Sequence, residues 1–190
     1  MANIQLTHAP ILNSSAQLLI LPVNTAGILL DPVLARTKTL FSDNYQSYYQ
    51  ACRDGNLNVG SCLLIKRALE QTGLGASSSS NQPSYIANLV ISDHPYHPYH
   101  PARTSWLDAA LLDLQQQLLS LIRYQGIRRV ALLARPLVYD NPRDYKTDSS
   151  GSVNILPLDW HHDTLPLLTQ QLQPLPKLRI DIHLPKNITI

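Results

Sequence analysis

The sequence predicts an α/β fold built in layers. Two patterns carry that expectation: short apolar runs of strand length recur along the chain, and amphipathic stretches of helical period separate them. Strands divided by helices need crossover connections, which gather the strands into one sheet with helices on its faces. A third observation is capacity. With 190 residues, 44% of them hydrophobic, one domain spanning 1–190 buries roughly 70% of its unfolded surface and needs no disulfide or metal to hold a core.

Residues 16–23, AQLLILPV, have the continuous apolar character of a buried strand. Asp31-Pro32 then opens a helix. Asp accepts from the free amides of a first turn, and Pro fits the first helical position, where no amide is needed. Val33, Leu34, Leu40 and Phe41 carry the helix to about residue 41. Ser42 or Asp43 starts a second helix through Tyr45, Tyr48, Tyr49 and Cys52, stopped near Gly55. Residues 61–68 and 84–91 follow as strands.

The clearest helix starts at Thr104, assigned as its N-cap. Leu107, Leu111, Leu114, Leu118 and Leu121 recur at three and four residues and predict a stripe facing the sheet. Gly126 ends it in the left-handed conformation that glycine tolerates. Residues 129–134 form a short apolar strand. A further helix covers about 162–173, with Pro166 near its first turn. Residues 178–184 are the last strand, with Leu178, Ile180, Ile182 and Leu184 on one side. In such sheets ligands sit outside the carboxyl ends of the strands. Those loops are 24–30, 92–103 and 135–154.

Composition narrows the function. Charged residues are only 15%, and 15 Lys+Arg against 13 Asp+Glu give a formal charge of +2, which is no nucleic-acid-binding excess. The longest apolar runs, 18–23 and 118–122, are far short of a membrane span. The N-terminus has neither the basic nor the apolar region of a secretory signal. Cys52 and Cys62 have no zinc or redox spacing, so they are expected as reduced thiols in a cytoplasmic protein. No Ser-His-Asp order, nucleophile elbow or phosphate-binding P-loop is present.

Several segments together carry a family likeness. They are Val23-Asn24-Thr25-Ala26-Gly27, Tyr49-Gln50-Ala51-Cys52-Arg53-Asp54-Gly55, YIANLVIS, the long helix, RRVALLARP and Leu158-Asp159-Trp160. In this order they resemble a macro domain. The likeness is to the macro-domain antitoxins that remove ADP-ribose from DNA and to the related terminal ADP-ribose hydrolases. The resemblance covers nearly the whole chain. It implies a three-layer α/β/α sandwich with a central mixed, mostly parallel sheet, no cofactor and no metal. Its ligand would be ADP-ribose or an ADP-ribosylated macromolecule, lying between 24–30 and 135–140. The implied contacts are Asn24, Thr25, Ala26, Gly27, Asp31, Arg135, Pro136 and Tyr139.

The departures from that family bear on chemistry. Its first phosphate loop is glycine-rich, so that backbone can approach a diphosphate; here the stretch reads Gly27-Ile28-Leu29-Leu30-Asp31-Pro32. Its second is also glycine-rich; here Ala134-Arg135-Pro136-Leu137-Val138-Tyr139-Asp140 has no glycine. The hydrolase branch places a Lys where Ser92 or Asp93 stands and an Asp where Leu156 stands. Leucine transfers no proton, and Ser92 carries no charge. The resemblance therefore implies nucleotide recognition without efficient catalysis. Two alternatives stay open: an ADP-ribosyl hydrolase with Asn24 orienting substrate and Asp93 or His94 as acid or base, and a protein-interaction module whose cleft takes no nucleotide.

Individual residues admit more than one role. The Asn24 amide can position a ribose hydroxyl or close its own turn. Asp31 is explained by capping alone. In His94-Pro95-Tyr96-His97-Pro98-Tyr99-His100-Pro101, the prolines favour polyproline II. The histidines then stand roughly 9 Å apart, from about 3.1 Å rise per residue, too far for one zinc with ligands at about 2.0–2.1 Å. That segment is expected as a rigid surface loop, with Tyr96 and Tyr99 available to stack on a base. Arg135, Arg143 and Lys146 are candidate phosphate partners, nearly offset by Asp140, Asp144 and Asp148. Adjacent His161 and His162 diverge on a helix and share no ligand.

Overall fold

The computed structural model describes residues 1–68, 82–94, 102–138 and 159–190. Its strands are β1 (Asn3–Thr7), β2 (Leu18–Asn24), β3 (Cys62–Lys66), β4 (Tyr85–Ser92), β5 (Arg129–Leu133) and β6 (Arg179–His183). Its helices are α1 (Pro32–Leu40), α2 (Ser42–Arg53), α3 (Arg103–Tyr124) and α4 (Leu165–Leu172). The strands form one sheet in the order β1-β6-β5-β2-β4-β3. All neighbours are parallel except β3, which runs antiparallel to β4 at the edge. The sheet is mixed and mostly parallel, as expected.

Two apolar clusters occupy the two faces. Alternation along β2 divides them: Leu18 and Ile20 point to one side, Leu19, Leu21 and Val23 to the other. The first side takes Leu107, Leu111, Leu114 and Leu118 of α3 with Leu168 and Leu172 of α4. The second takes Leu34 of α1, Tyr48 of α2 and Phe41 between them. Helices thus cover both faces, and central strands read as unbroken apolar runs because neither face meets water. The α3 stripe lies in the core as predicted, from Leu107 to Leu121.

Two local expectations are corrected. Thr104 is not the N-cap of α3. Ala102 holds that position without a side-chain cap, and Arg103, buried at 6% exposure, is already helical. The last helix begins earlier than residue 162. A wide turn with π-type bonding, Trp160–Thr164, precedes α4, and the Asp159 carboxylate caps it by accepting from the His162 amide at 2.7 Å. Strand β1 has no counterpart in the sequence reading. It is a five-residue edge strand that exists through its pairing with β6.

Polar side chains lock α2 to the sheet. Asn44 and Asn88 exchange amide hydrogen bonds at 2.8 and 3.2 Å inside the core, and Asn88 also donates to the Leu63 carbonyl. At the start of α2, Asp43 pairs with Arg67 at 3.0 Å. Partial burial pushes the Asp43 carboxyl up. The Arg67 hydrogen bond and charge, with the Ala68 and Asn44 amides, outweigh it and leave the carboxyl below its ordinary value. Among the described residues, no helix is long and apolar enough to cross a membrane.

Candidate functional site

The parallel strands β2, β4, β5, β6 and β1 end on one edge, and the connecting loops there frame a cleft. Its first rim is the turn after β2. Asn24 organises it from within. The Asn24 Oδ1 accepts from the Ala26 amide at 2.9 Å, and its Nδ2 donates to the Ile28 carbonyl at 2.8 Å. Tyr48 of α2 donates its hydroxyl to the Asn24 carbonyl at 2.6 Å. That buried phenol is held neutral well above its ordinary range, chiefly by desolvation. The side chain of Asn24 therefore serves the turn, the local alternative left open above. Thr25 is pinned to the end of β4, its amide donating to the Ser92 carbonyl at 3.0 Å. Gly27 has φ +75°, and a Cβ there would meet the Tyr49 ring at 3.0 Å. The turn thus favours glycine for its conformation, and an added Cβ would also press on the Tyr49 ring.

The next part of this rim is the start of α1. Asp31 Oδ1 accepts from the Val33 and Leu34 amides at 2.8 and 3.3 Å, so the predicted cap is present. The other carboxylate oxygen, Oδ2, receives Arg135 Nε at 2.9 Å. Arg135 begins the 3₁₀ turn Arg135–Leu137 after β5. The pair joins the two rims of the cleft.

Two cavities flank that pair. The larger, about 850 Å³, is lined by the segments after β1, β5 and β6 and by the start of α1. Among the described residues, its cationic side chains are Arg36, Arg135 and Lys186, its walls include Ile11, Leu133 and Leu184, and Asp31 is its one carboxylate. Among the described residues, Arg36 and Lys186 make no ion pair. The ends of its wall are tied down by two histidines. His183 Nδ1 donates to the Ala9 carbonyl at 2.8 Å, and His8 Nε2 donates to the Ile188 carbonyl at 2.6 Å. The smaller cavity, about 190 Å³, is lined by Asn24, Ile28, Asp31, Ser92, His94 and Pro136 among others.

Asn24, Asp31, Arg135 and Pro136 therefore come together at the cleft, with Thr25, Ala26 and Gly27 in its first rim. At the end of β4, Asp93 and His94 are both exposed. His94 reaches the smaller cavity, whereas Asp93 does not line it. Ser92 Oγ turns back on its own loop, donating to the His94 carbonyl at 2.9 Å and accepting from its amide. Tyr139 lies outside the described residues, as do Tyr96, Tyr99, His97, His100, Asp140, Arg143, Lys146 and Leu156. Sequence reasoning missed His8, Arg36, His183 and Lys186. The signal for the N-terminal part was β1 itself: the carboxyl-edge rule that selected three loops also applies to the segments following β1 and β6.

The arrangement of strands and layers is the macrodomain fold. The macrodomain of Thermus aquaticus DarG superposes with a TM-score of 0.67 at 22% identity, covering 97% of this chain and all (100%) of that one. The Mycobacterium tuberculosis DarG macrodomain gives 0.68 at 20% identity, covering 98% and 100%. Thermosipho africanus DarTG, solved in complex with ADP-ribose, gives 0.67 at 21% identity, covering 99% of this chain and 43% of that one. In sequence, the chain is 27% identical over 127 residues to the DNA ADP-ribosyl glycohydrolase of Thermus aquaticus. That match spans 67% of this chain but only 30% of the relative's length. No family model matches. The chain has the macrodomain fold in a divergent form that resembles the DarG branch.

Proposed function

We propose that the chain recognises ADP-ribose or a closely related nucleotide in this cleft, free or attached to a macromolecule, without efficient hydrolysis. The observation that carries the proposal is the larger cavity. It sets three cationic side chains among apolar walls at the carboxyl edge of a parallel sheet, the chemistry that a base, a sugar and phosphates require. The relative solved with ADP-ribose shares this fold, which supports the choice of ligand. Two free thiols, Cys52 and Cys62, support a cytoplasmic setting.

The end of β4 supports the reading of weak catalysis. Cleavage of an ADP-ribosyl bond needs a group acting at the anomeric carbon and one managing the leaving group's proton. Ser92 is turned away into its loop, and the other position implied by the resemblance is a leucine, Leu156. Titration calorimetry with ADP-ribose tests recognition, and a bound complex is expected. Release of ADP-ribose from labelled DNA and protein tests turnover, and a negligible rate is expected.

The likeness to a DNA ADP-ribosyl glycohydrolase favours the hydrolase as a second reading. Clear turnover that disappears in Asn24→Ala or Asp93→Ala would put it first. The ion pair across the cleft favours the third, a protein-interaction module. Absence of heat and of thermal stabilisation at millimolar ADP-ribose would select that one.

A further inference from the structure

We infer that Asp31 sets the cleft's affinity for phosphate-bearing ligands by holding Arg135 across it until a ligand phosphate takes the arginine. The inference rests on the nucleotide reading above and specifies how that site discriminates. Asp31 lines both cavities, Arg135 lines the larger and Pro136 the smaller. A ligand long enough to occupy both must therefore pass the 2.9 Å pair.

The two partners differ in freedom. The Asp31 side chain is 11% exposed, and its Oδ1 is fixed by the two amides at the start of α1. The Arg135 side chain is 51% exposed, so the guanidinium is the half that moves. Carboxylate and phosphate present matching oxygens to a guanidinium fork, so a phosphate can take the place of Oδ2 on Arg135. The exchange leaves Asp31 charged, unpaired and close to the incoming phosphate. Like charges so placed oppose binding. The aspartate therefore weakens binding in two ways, by competing for Arg135 and by repelling what replaces it. Only the first depends on Arg135.

That dependence provides the test. ADP-ribose is titrated by calorimetry into the parent chain, Asp31→Asn, Arg135→Gln and the double variant. Asparagine keeps the Oδ1 acceptor and caps a helix about as well as aspartate, so the fold is retained; melting curves without ligand check this. Asp31→Asn is expected to bind about fivefold more tightly, the scale of releasing a partly exposed ion pair. Arg135→Gln is expected to bind more weakly than the parent, and the gain from Asp31→Asn should be smaller in its background, reduced to the part that comes from repulsion. An equal gain in both backgrounds would mean that Asp31 acts by repulsion alone and would overturn the exchange. Unchanged or weaker binding in Asp31→Asn would overturn it too. If neither the parent nor Asp31→Asn binds at millimolar ligand, the nucleotide reading itself has failed and the exchange falls with it.

Discussion

Glycine is favoured at position 27 by a φ of +75°, and a Cβ added there would lie 3.0 Å from a ring carbon of Tyr49, which would have to shift slightly. Gly27→Ala should lower stability by about 1–2 kcal/mol from the left-handed backbone alone, read as a fall in the urea midpoint. Cys62 offers a second prediction. Burial, helped by the Asp113 charge, pushes its thiol up from 9.0 to about 12. In the unfolded chain the thiol ionises at its ordinary value, whereas the folded protein keeps it protonated. Between those values the unfolded state loses a proton that the folded state retains, so stability falls as pH rises from 9 towards 12. Urea melts at about pH 8 and about pH 10.5 should show a smaller decline in Cys62→Ala than in the parent. The sequence discloses residues whose role is local. Asp31-Pro32 announced a helix start, and Gly126 a helix end, with its φ at +68°. It does not disclose that Asp31 also pairs with Arg135, because that contact depends on where the chain returns after β5.

Elements were legible where period and length agreed. The leucine stripe of α3 spans most of a 22-residue helix, and Leu111, Leu114 and Leu118 are wholly buried. Leu114→Ala should cost about 2–5 kcal/mol through lost transfer energy and the cavity left behind. A denaturant midpoint little changed from the parent would show that α3 does not carry the core as described. Element ends were harder to place. Thr104 has the right chemistry for a cap, but the helix already includes Arg103 and starts after Ala102. Strand β1 was missed although Asn3-Ile4-Gln5-Leu6-Thr7 alternates polar and apolar as a half-buried strand does, because the stretch is only five residues long. Its stability lies in pairing with β6, and pairing between distant segments leaves little trace in a five-residue window.

At the scale of the molecule, the cleft is assembled from segments that are remote in sequence and adjacent only because parallel strands end together. The turn at Asn24 and the position of Arg135 were legible because two of the expected loops carried them, and Asp31 was legible as a helix cap. Arg36 and Lys186 were not, since one sits on the exposed face of a helix and the other beyond the final strand. Those two make the last prediction. Both are exposed, and among the described residues neither is paired. Replacing exposed, unpaired side chains usually changes stability within about 0.5 kcal/mol, so Arg36→Gln with Lys186→Gln should leave the unliganded melting temperature nearly unchanged. Ligand binding should respond differently, because, among the described residues, the pair supplies two of the three cationic groups on the larger cavity. We expect ADP-ribose affinity to fall about tenfold, equivalent to about 1.4 kcal/mol, and to depend less on salt than in the parent. Calorimetry at two ionic strengths reads both effects. Unaltered affinity in the double variant would place the phosphates elsewhere and remove the larger cavity from the site.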